Sequence, residues 1–195
     1  MGQSHDGSPW ICVYCGSKSG REPVYARAAV ALGQALAGRG FGLVYGGGNV
    51  GLMGALADAV LSRGGQVVGV IPRALVQQEL AHRGLTELVV VADMHARKAQ
   101  MAARASAFAA LPGGYGTLEE LFEVVAWAQL EIHTKPVGLL NAGGYFDQLV
   151  AFLDQAVERD FLRPRHRALL RVAADPEALV DELALLLEGG DSAAR

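Results

Sequence analysis

Three stretches of this sequence combine residue types that can do chemistry. In LPGGYGTLEE, Leu111 to Glu120, glycines and a threonine stand where an apolar run gives way to a helical pattern, and a pair of glutamates follows at once. Backbone N–H groups at such a helix start, together with the Thr117 hydroxyl, suit a phosphate, which makes Gly114, Tyr115, Gly116 and Thr117 candidate anion contacts. Thr117 and Glu120 also form the T-x-x-E of a capping box, in which Glu120 only bonds back to the N-cap N–H. The residues by themselves leave that reading level with a catalytic carboxylate at Glu120.

The second stretch is MHARKAQM, Met94 to Met101, which places Arg97 and Lys98 in the first turn of a helix that Asp93 is placed to cap. Cations there oppose the helix dipole at a penalty of roughly 0.3–1 kcal/mol unless something negative is near. A solvated charged face is the plain reading; the wrong helix end for a cation points instead to an anion close by.

The third is GGGNVG, Gly46 to Gly51, a literal G-x-G-x-x-G between a strand and a helix. A dinucleotide fold would carry this motif after its first strand and an acidic residue at the end of the next. Here it follows the second, and the next strand, QVVGVI, ends in Pro72 and Arg73. That argues against NAD. What remains is backbone N–H, at Gly47 and Gly48 among others, suited to a phosphate or a nearby loop, or close packing through Gly51 and Gly54.

The elements that must position these stretches follow from the hydrophobic pattern. Apolar runs WICVYC, FGLVY, QVVGVI, TELVVVA, AFAAL, PVGLL and RALLRVA alternate with helical patterns over about Pro23–Arg39, Val50–Ser62, from His95, Thr117–Ile132, Tyr145–Arg159 and Pro176–Glu188. Strands alternating with helices predict an α/β, Rossmann-like fold: a mainly parallel sheet of about seven strands with helices on both faces. In such sheets ligands gather beyond the carboxyl ends of strands, where CGSKSG, GGGNVG and LPGGYGT all fall. A single domain over residues 1–195 is expected, with short tails at 1–9 and 189–195.

Cys12 and Cys15 form a C-x-x-C, but three residues apart on a strand they point to opposite faces, so neither a redox pair nor a zinc site is expected. The 195 residues are 51% hydrophobic and 19% charged, with 17 basic against 20 acidic side chains, so no basic field advertises nucleic acid or an anionic membrane. The first ten residues lack a signal-peptide core, and no apolar run reaches spanning length, from which a cytoplasmic protein is expected.

MHARKAQM and LPGGYGTLEE, with YGGGNVGLMGALADA upstream and WAQLEIHTKPVGLLN downstream, resemble the Lonely Guy family of cytokinin riboside 5′-monophosphate phosphoribohydrolases. The family pattern P-G-G-x-G-T-x-x-E is matched at every fixed position, and the similarity runs from about Trp10 to Leu187. The resemblance implies a Rossmann-like homodimer, or an assembly of dimers, that hydrolyses the N-glycosidic bond of adenosine-type 5′-monophosphates without metal or organic cofactor. Free base and ribose 5-phosphate would be the products. It assigns catalysis to Arg97 and Glu120, and nucleotide contacts to Glu79, Lys98 and Gly114 through Thr117. Plant members often have Thr where this chain has Ala126, which bears on the preferred base more than on the reaction.

Two alternatives stand beside that reading: a broader purine 5′-nucleotide nucleosidase, and a non-catalytic nucleotide or cofactor carrier on the same fold. A carrier needs glycine cradles but no carboxylate at the sugar. Family members have also been labelled lysine decarboxylases; that chemistry requires a Schiff-base lysine and an acidic partner for the pyridine nitrogen, a setting that none of Lys18, Lys98 and Lys135 offers.

Overall fold

The computed structural model describes residues 8–76 and 81–193, with side-chain environments through residue 189. Seven strands form one sheet: β1 Trp10–Tyr14, β2 Gly42–Tyr45, β3 Val67–Pro72, β4 Glu87–Val91, β5 Ala107–Ala110, β6 Val137–Leu140 and β7 Leu170–Ala173. Every pairing is parallel, in the order β4-β3-β2-β1-β5-β6-β7. The helices are α1 Pro23–Gly38, α2 Gly51–Ser62, α3 Met94–Arg104, α4 Tyr115–Gln129, α5 Asp147–Glu158, the short α6 Pro164–Arg167 and α7 Pro176–Ala193.

The sheet reads as apolar runs instead of alternating ones because helices cover both faces. Ile11, Val13 and Cys15 pack with Leu32 and Leu36 of α1, Leu52 and Leu56 of α2, and Leu179 and Leu183 of α7. Cys12 and Tyr14 face the other way, against Met101 of α3 and Leu121 and Val124 of α4. The two cysteines are therefore free, buried and on opposite faces. α7 continues past Leu187 to Ala193; a helix already anchored by Leu179, Val180 and Leu183 extends at little further cost.

Strand order reverses between β1 and β5: β1 leads through α1 to one half of the sheet, β5 through α4 to the other. Beyond their carboxyl ends the two connections diverge and leave a crevice. The Gly16 N–H donates to Pro112 O at 3.0 Å and the Leu111 N–H to Tyr14 O at 2.9 Å, so the loops after β1 and β5 leave the sheet bonded together. Among the described residues no helix is long and apolar enough to cross a membrane.

Candidate active site

A cavity of about 580 Å³ opens at this crevice. Its wall is built from the loop after β1 (Cys15 to Gly20), the turn from Pro112 to Thr117, and side chains that include Arg97 and Glu120. Arg97, Thr117 and Glu120 are 6%, 4% and 8% exposed, three of the four buried polar or charged side chains among the described residues.

The start of α4 differs from a capping box. The N-cap is Gly114 and makes no side-chain cap, so Thr117 is the third helical residue and Glu120 lies in the second turn, turned into the crevice and not back to the helix start. The glycines of the turn divide into two kinds. A Cβ at Gly113 would lie 2.1 Å from Thr117 Oγ1 and 2.9 Å from Gly16 N, so that glycine is required by packing. At Gly114 and Gly116 a Cβ would meet nothing within 4 Å, and neither has a positive φ. Glycine inside a helix, as at Gly116, is destabilising by roughly 0.5–1 kcal/mol relative to alanine, whereas at the N-cap, as at Gly114, it is tolerated well. Two glycines demanded by neither conformation nor neighbours keep the backbone N–H groups of a helix start open to a ligand. Tyr145 Oη donates to Gly113 O at 2.7 Å and steadies the turn, while Tyr115, 94% exposed, stands at the mouth.

Asp93 caps α3 as expected, accepting from the Ala96 N–H at 2.8 Å. Arg97, one turn on, reaches the carboxyl ends of β2 and β3. Pairing of β2 with β3 ends at Tyr45 and Gly69, and the carbonyls one residue further are taken by the guanidinium: Nε donates to Val70 O at 3.1 Å and Nη2 to Gly46 O at 2.9 Å. These carbonyl dipoles supply negative potential to a cation at the unfavourable helix end. Gly46 is what admits it, since a Cβ there would lie 1.9 Å from Nη2.

The rest of GGGNVG acts as a bracket. The His82 N–H donates to Gly47 O at 3.0 Å, and Gly48 bridges to Ala81, so Gly47 and Gly48 hold the neighbouring segment and do not form part of the cavity wall. His82 itself is fixed between Asp58 and the Gly84 N–H. Gly51, at φ +64°, seats against Ser17, where a Cβ would lie 2.4 Å from the carbonyl. Lys98 also lies off the wall, ion-paired to Glu119 and, at 2.9 Å, to Glu123, which hold its ammonium charged. Glu79 lies outside the described residues.

Burial pushes the Cys15 thiol and the Tyr14 phenol well above their ordinary values, and the negative charge of Glu120 adds to both shifts. Cys15 on the wall is thus a protonated thiol and no nucleophile. Lys18 and Tyr25 also line the cavity. CGSKSG was legible as flexible backbone at a strand end, but nothing in the sequence marks Tyr25 or Tyr145, which reach the crevice from α1 and from the connection after β6.

The family model described as "Possible lysine decarboxylase" matches residues 53–183. Cytokinin riboside 5′-monophosphate phosphoribohydrolases LOG7 and LOG1 of Arabidopsis thaliana are 53% and 51% identical to this chain over 173 residues, which cover 89% of it and 80% and 81% of theirs. The chain belongs to the Lonely Guy family. Among solved structures, the molybdenum cofactor carrier protein of Chlamydomonas reinhardtii superposes with a TM-score of 0.70 at 25% identity, covering 93% of this chain and 99% of that one. A molybdenum cofactor binding protein from Rippkaea orientalis reaches the same score at 22% identity, with coverages of 92% and 98%, and shares the fold. The Lonely Guy motif residues Arg97, Gly114, Gly116, Thr117 and Glu120 therefore meet at one crevice, from opposite halves of the sheet.

Proposed function

We propose that this protein hydrolyses the N-glycosidic bond of cytokinin riboside 5′-monophosphates, adenosine-type nucleotides, to free base and ribose 5-phosphate. One observation carries the reading: a buried carboxylate, Glu120, lines the same cavity as a helix start whose Gly114 and Gly116 leave open space beside free backbone donors. Breaking an N-riboside builds positive charge on the ribose ring, and a carboxylate near the anomeric carbon stabilises it. With the 5′-phosphate held at the turn from Gly114 to Thr117, the sugar is fixed over Glu120, which also positions or deprotonates the attacking water. Arg97 stays protonated and cannot act as a base; its two carbonyl bonds hold the guanidinium rigid beside the reacting sugar.

The carrier reading accounts for the glycines but gives the buried carboxylate at the cavity wall no part in chemistry at the sugar. The decarboxylase description of the family model names no activity of the curated relatives, which are phosphoribohydrolases. A homodimer belongs to the same proposal: Leu130 and Ile132, following α4, and Phe161, following α5, are largely exposed, as residues at a subunit interface are before assembly. Light scattering on the purified protein tests that.

The deciding experiment incubates the protein with AMP, isopentenyladenosine monophosphate, GMP and the free nucleosides and follows released base. The proposal expects turnover of the adenosine-type monophosphates and hardly any of adenosine. Equal kcat/KM for AMP and adenosine removes the phosphate cradle, and binding of AMP with no base released favours the carrier.

A further inference from the structure

A phosphate dianion at the turn from Gly114 to Thr117 needs more positive charge than a helix start supplies, which amounts to about half an elementary charge. Two cations stand on the described cavity wall, Arg97 and Lys18. Arg97 is bound to the carbonyls of Gly46 and Val70, and Lys98, the sequence's candidate, is engaged by Glu119 and Glu123 off the wall. Lys18 is exposed and, among the described residues, makes no ion pair.

The backbone beneath Lys18 is fixed even though its side chain is not. The Gly16 N–H donates to Pro112 O at 3.0 Å, tying this loop to the α4 turn, and Gly16 O accepts from the Leu52 N–H at 3.2 Å, tying it to α2. Gly51, at φ +64°, closes against Ser17 and Lys18, whose N would lie 2.6 Å from a Cβ there. The loop therefore carries Lys18 at a set position on the same cavity wall as Gly114 to Thr117, with a flexible four-carbon stem ending in a compact charge with three donors.

We propose that Lys18, on the loop after β1, binds the 5′-phosphate together with the α4 turn and sets the preference for nucleotide over nucleoside, an inference that rests on the nucleotide hydrolysis proposed above. Uniform binding of this sort, equal in ground and transition states, acts on KM and not on kcat.

The test compares the wild type with Lys18→Ala, Lys18→Arg and Arg21→Ala, the last removing an exposed cation of the same loop that is not on the wall. Affinity for ribose 5-phosphate, with ribose as control, is measured by calorimetry at low and high salt, alongside AMP kinetics. Losing one charge-assisted contact predicts roughly a 10–100-fold weaker Kd for ribose 5-phosphate and a matching rise in KM in Lys18→Ala, with kcat within about threefold of wild type. Lys18→Arg should recover much of the loss, Arg21→Ala should match wild type, and the salt dependence should shrink in Lys18→Ala. Unchanged affinity in Lys18→Ala, or a penalty equal to that of Arg21→Ala, overturns the role of Lys18 while leaving the hydrolase reading intact. A wild type that binds no ribose 5-phosphate and releases no base overturns both.

Discussion

Arg97 fills the space that any side chain at Gly46 would need: a Cβ at position 46 would lie 1.9 Å from Nη2, which donates instead to the Gly46 carbonyl at 2.9 Å. The glycine motif after β2 and the cation at the start of α3, far apart in sequence, are one structural unit. Gly46→Ala should therefore behave like a substitution of Arg97. We expect it to be destabilised by about 1–3 kcal/mol through overpacking, with turnover of AMP falling in parallel with that of Arg97→Ala. Urea denaturation and kcat for both variants check this; a Gly46→Ala enzyme with wild-type stability and activity would refute the coupling.

Arg97→Ala itself should lose stability as well as activity. It leaves the Gly46 and Val70 carbonyls without the donor that serves them, and an unsatisfied buried group costs roughly 1–3 kcal/mol. Lys in its place offers one charge but not the planar fork that spans two strands, so Arg97→Lys should restore little of either. Full recovery in the lysine variant would show that charge alone matters.

Gly114→Ala separates phosphate binding from folding. A Cβ there meets no protein atom within 4 Å and the backbone φ is −97°, so the variant should fold, at a cost of about 1 kcal/mol or less for alanine in place of glycine at an N-cap. The methyl group enters the space beside the backbone donors, and KM for AMP should rise about tenfold or more, the scale of a lost charge-assisted hydrogen bond. Unaltered KM would mean the phosphate sits elsewhere.

Glu120→Gln keeps the shape of the side chain and removes its charge. Since Glu120 is buried in the second turn of α4 and takes no part in a cap, the variant should fold normally and bind AMP. Its kcat should fall by about 10²–10⁴-fold, the scale of a positioned acid-base group. Pre-steady-state measurement of base release distinguishes a chemical defect from slow product release, and an unimpaired chemical step would remove Glu120 from catalysis.

His133 predicts a pH dependence of stability that is separate from the active site. Its Nε2 donates to Val124 O at 3.0 Å and its Nδ1 accepts from the Lys135 N–H at 3.1 Å, which requires the neutral ring. Burial, then the nearby Lys135 charge, lowers its pKa from the ordinary 6.5, opposed by the Val124 bond. The unfolded chain then binds a proton that the folded one does not. Stability is fully present above pH 6.5 and declines as pH falls toward the lowered folded value. His133→Gln should flatten that part of the profile in denaturation between about pH 7 and pH 5, measured against the wild type; an unchanged slope would assign it to other groups.

Much of this molecule was determined by local pattern. Apolar runs punctuated by glycine and proline set seven strands and the helices between them within a few residues, because burial on both faces of a parallel sheet leaves a nearly continuous apolar signature. Asp93 as a cap and the opposed cysteines follow from geometry within one element. The resemblance to the Lonely Guy family, and not composition, pointed to Arg97 and Glu120 as a pair. Only the tertiary structure decided what each polar group is engaged with. T-x-x-E is compatible with a cap until the helix start is fixed at Gly114; that Lys98, a nucleotide contact by resemblance, is ion-paired to Glu119 and Glu123 shows only once α4 is placed. GGGNVG suits a ligand until Arg97, His82 and Ser17 occupy its surroundings. The physical reason is range: hydrophobic periodicity is a property of neighbours in sequence, whereas the partners of a charge or an N–H come from segments tens of residues away, and their positions follow only from the order of the strands.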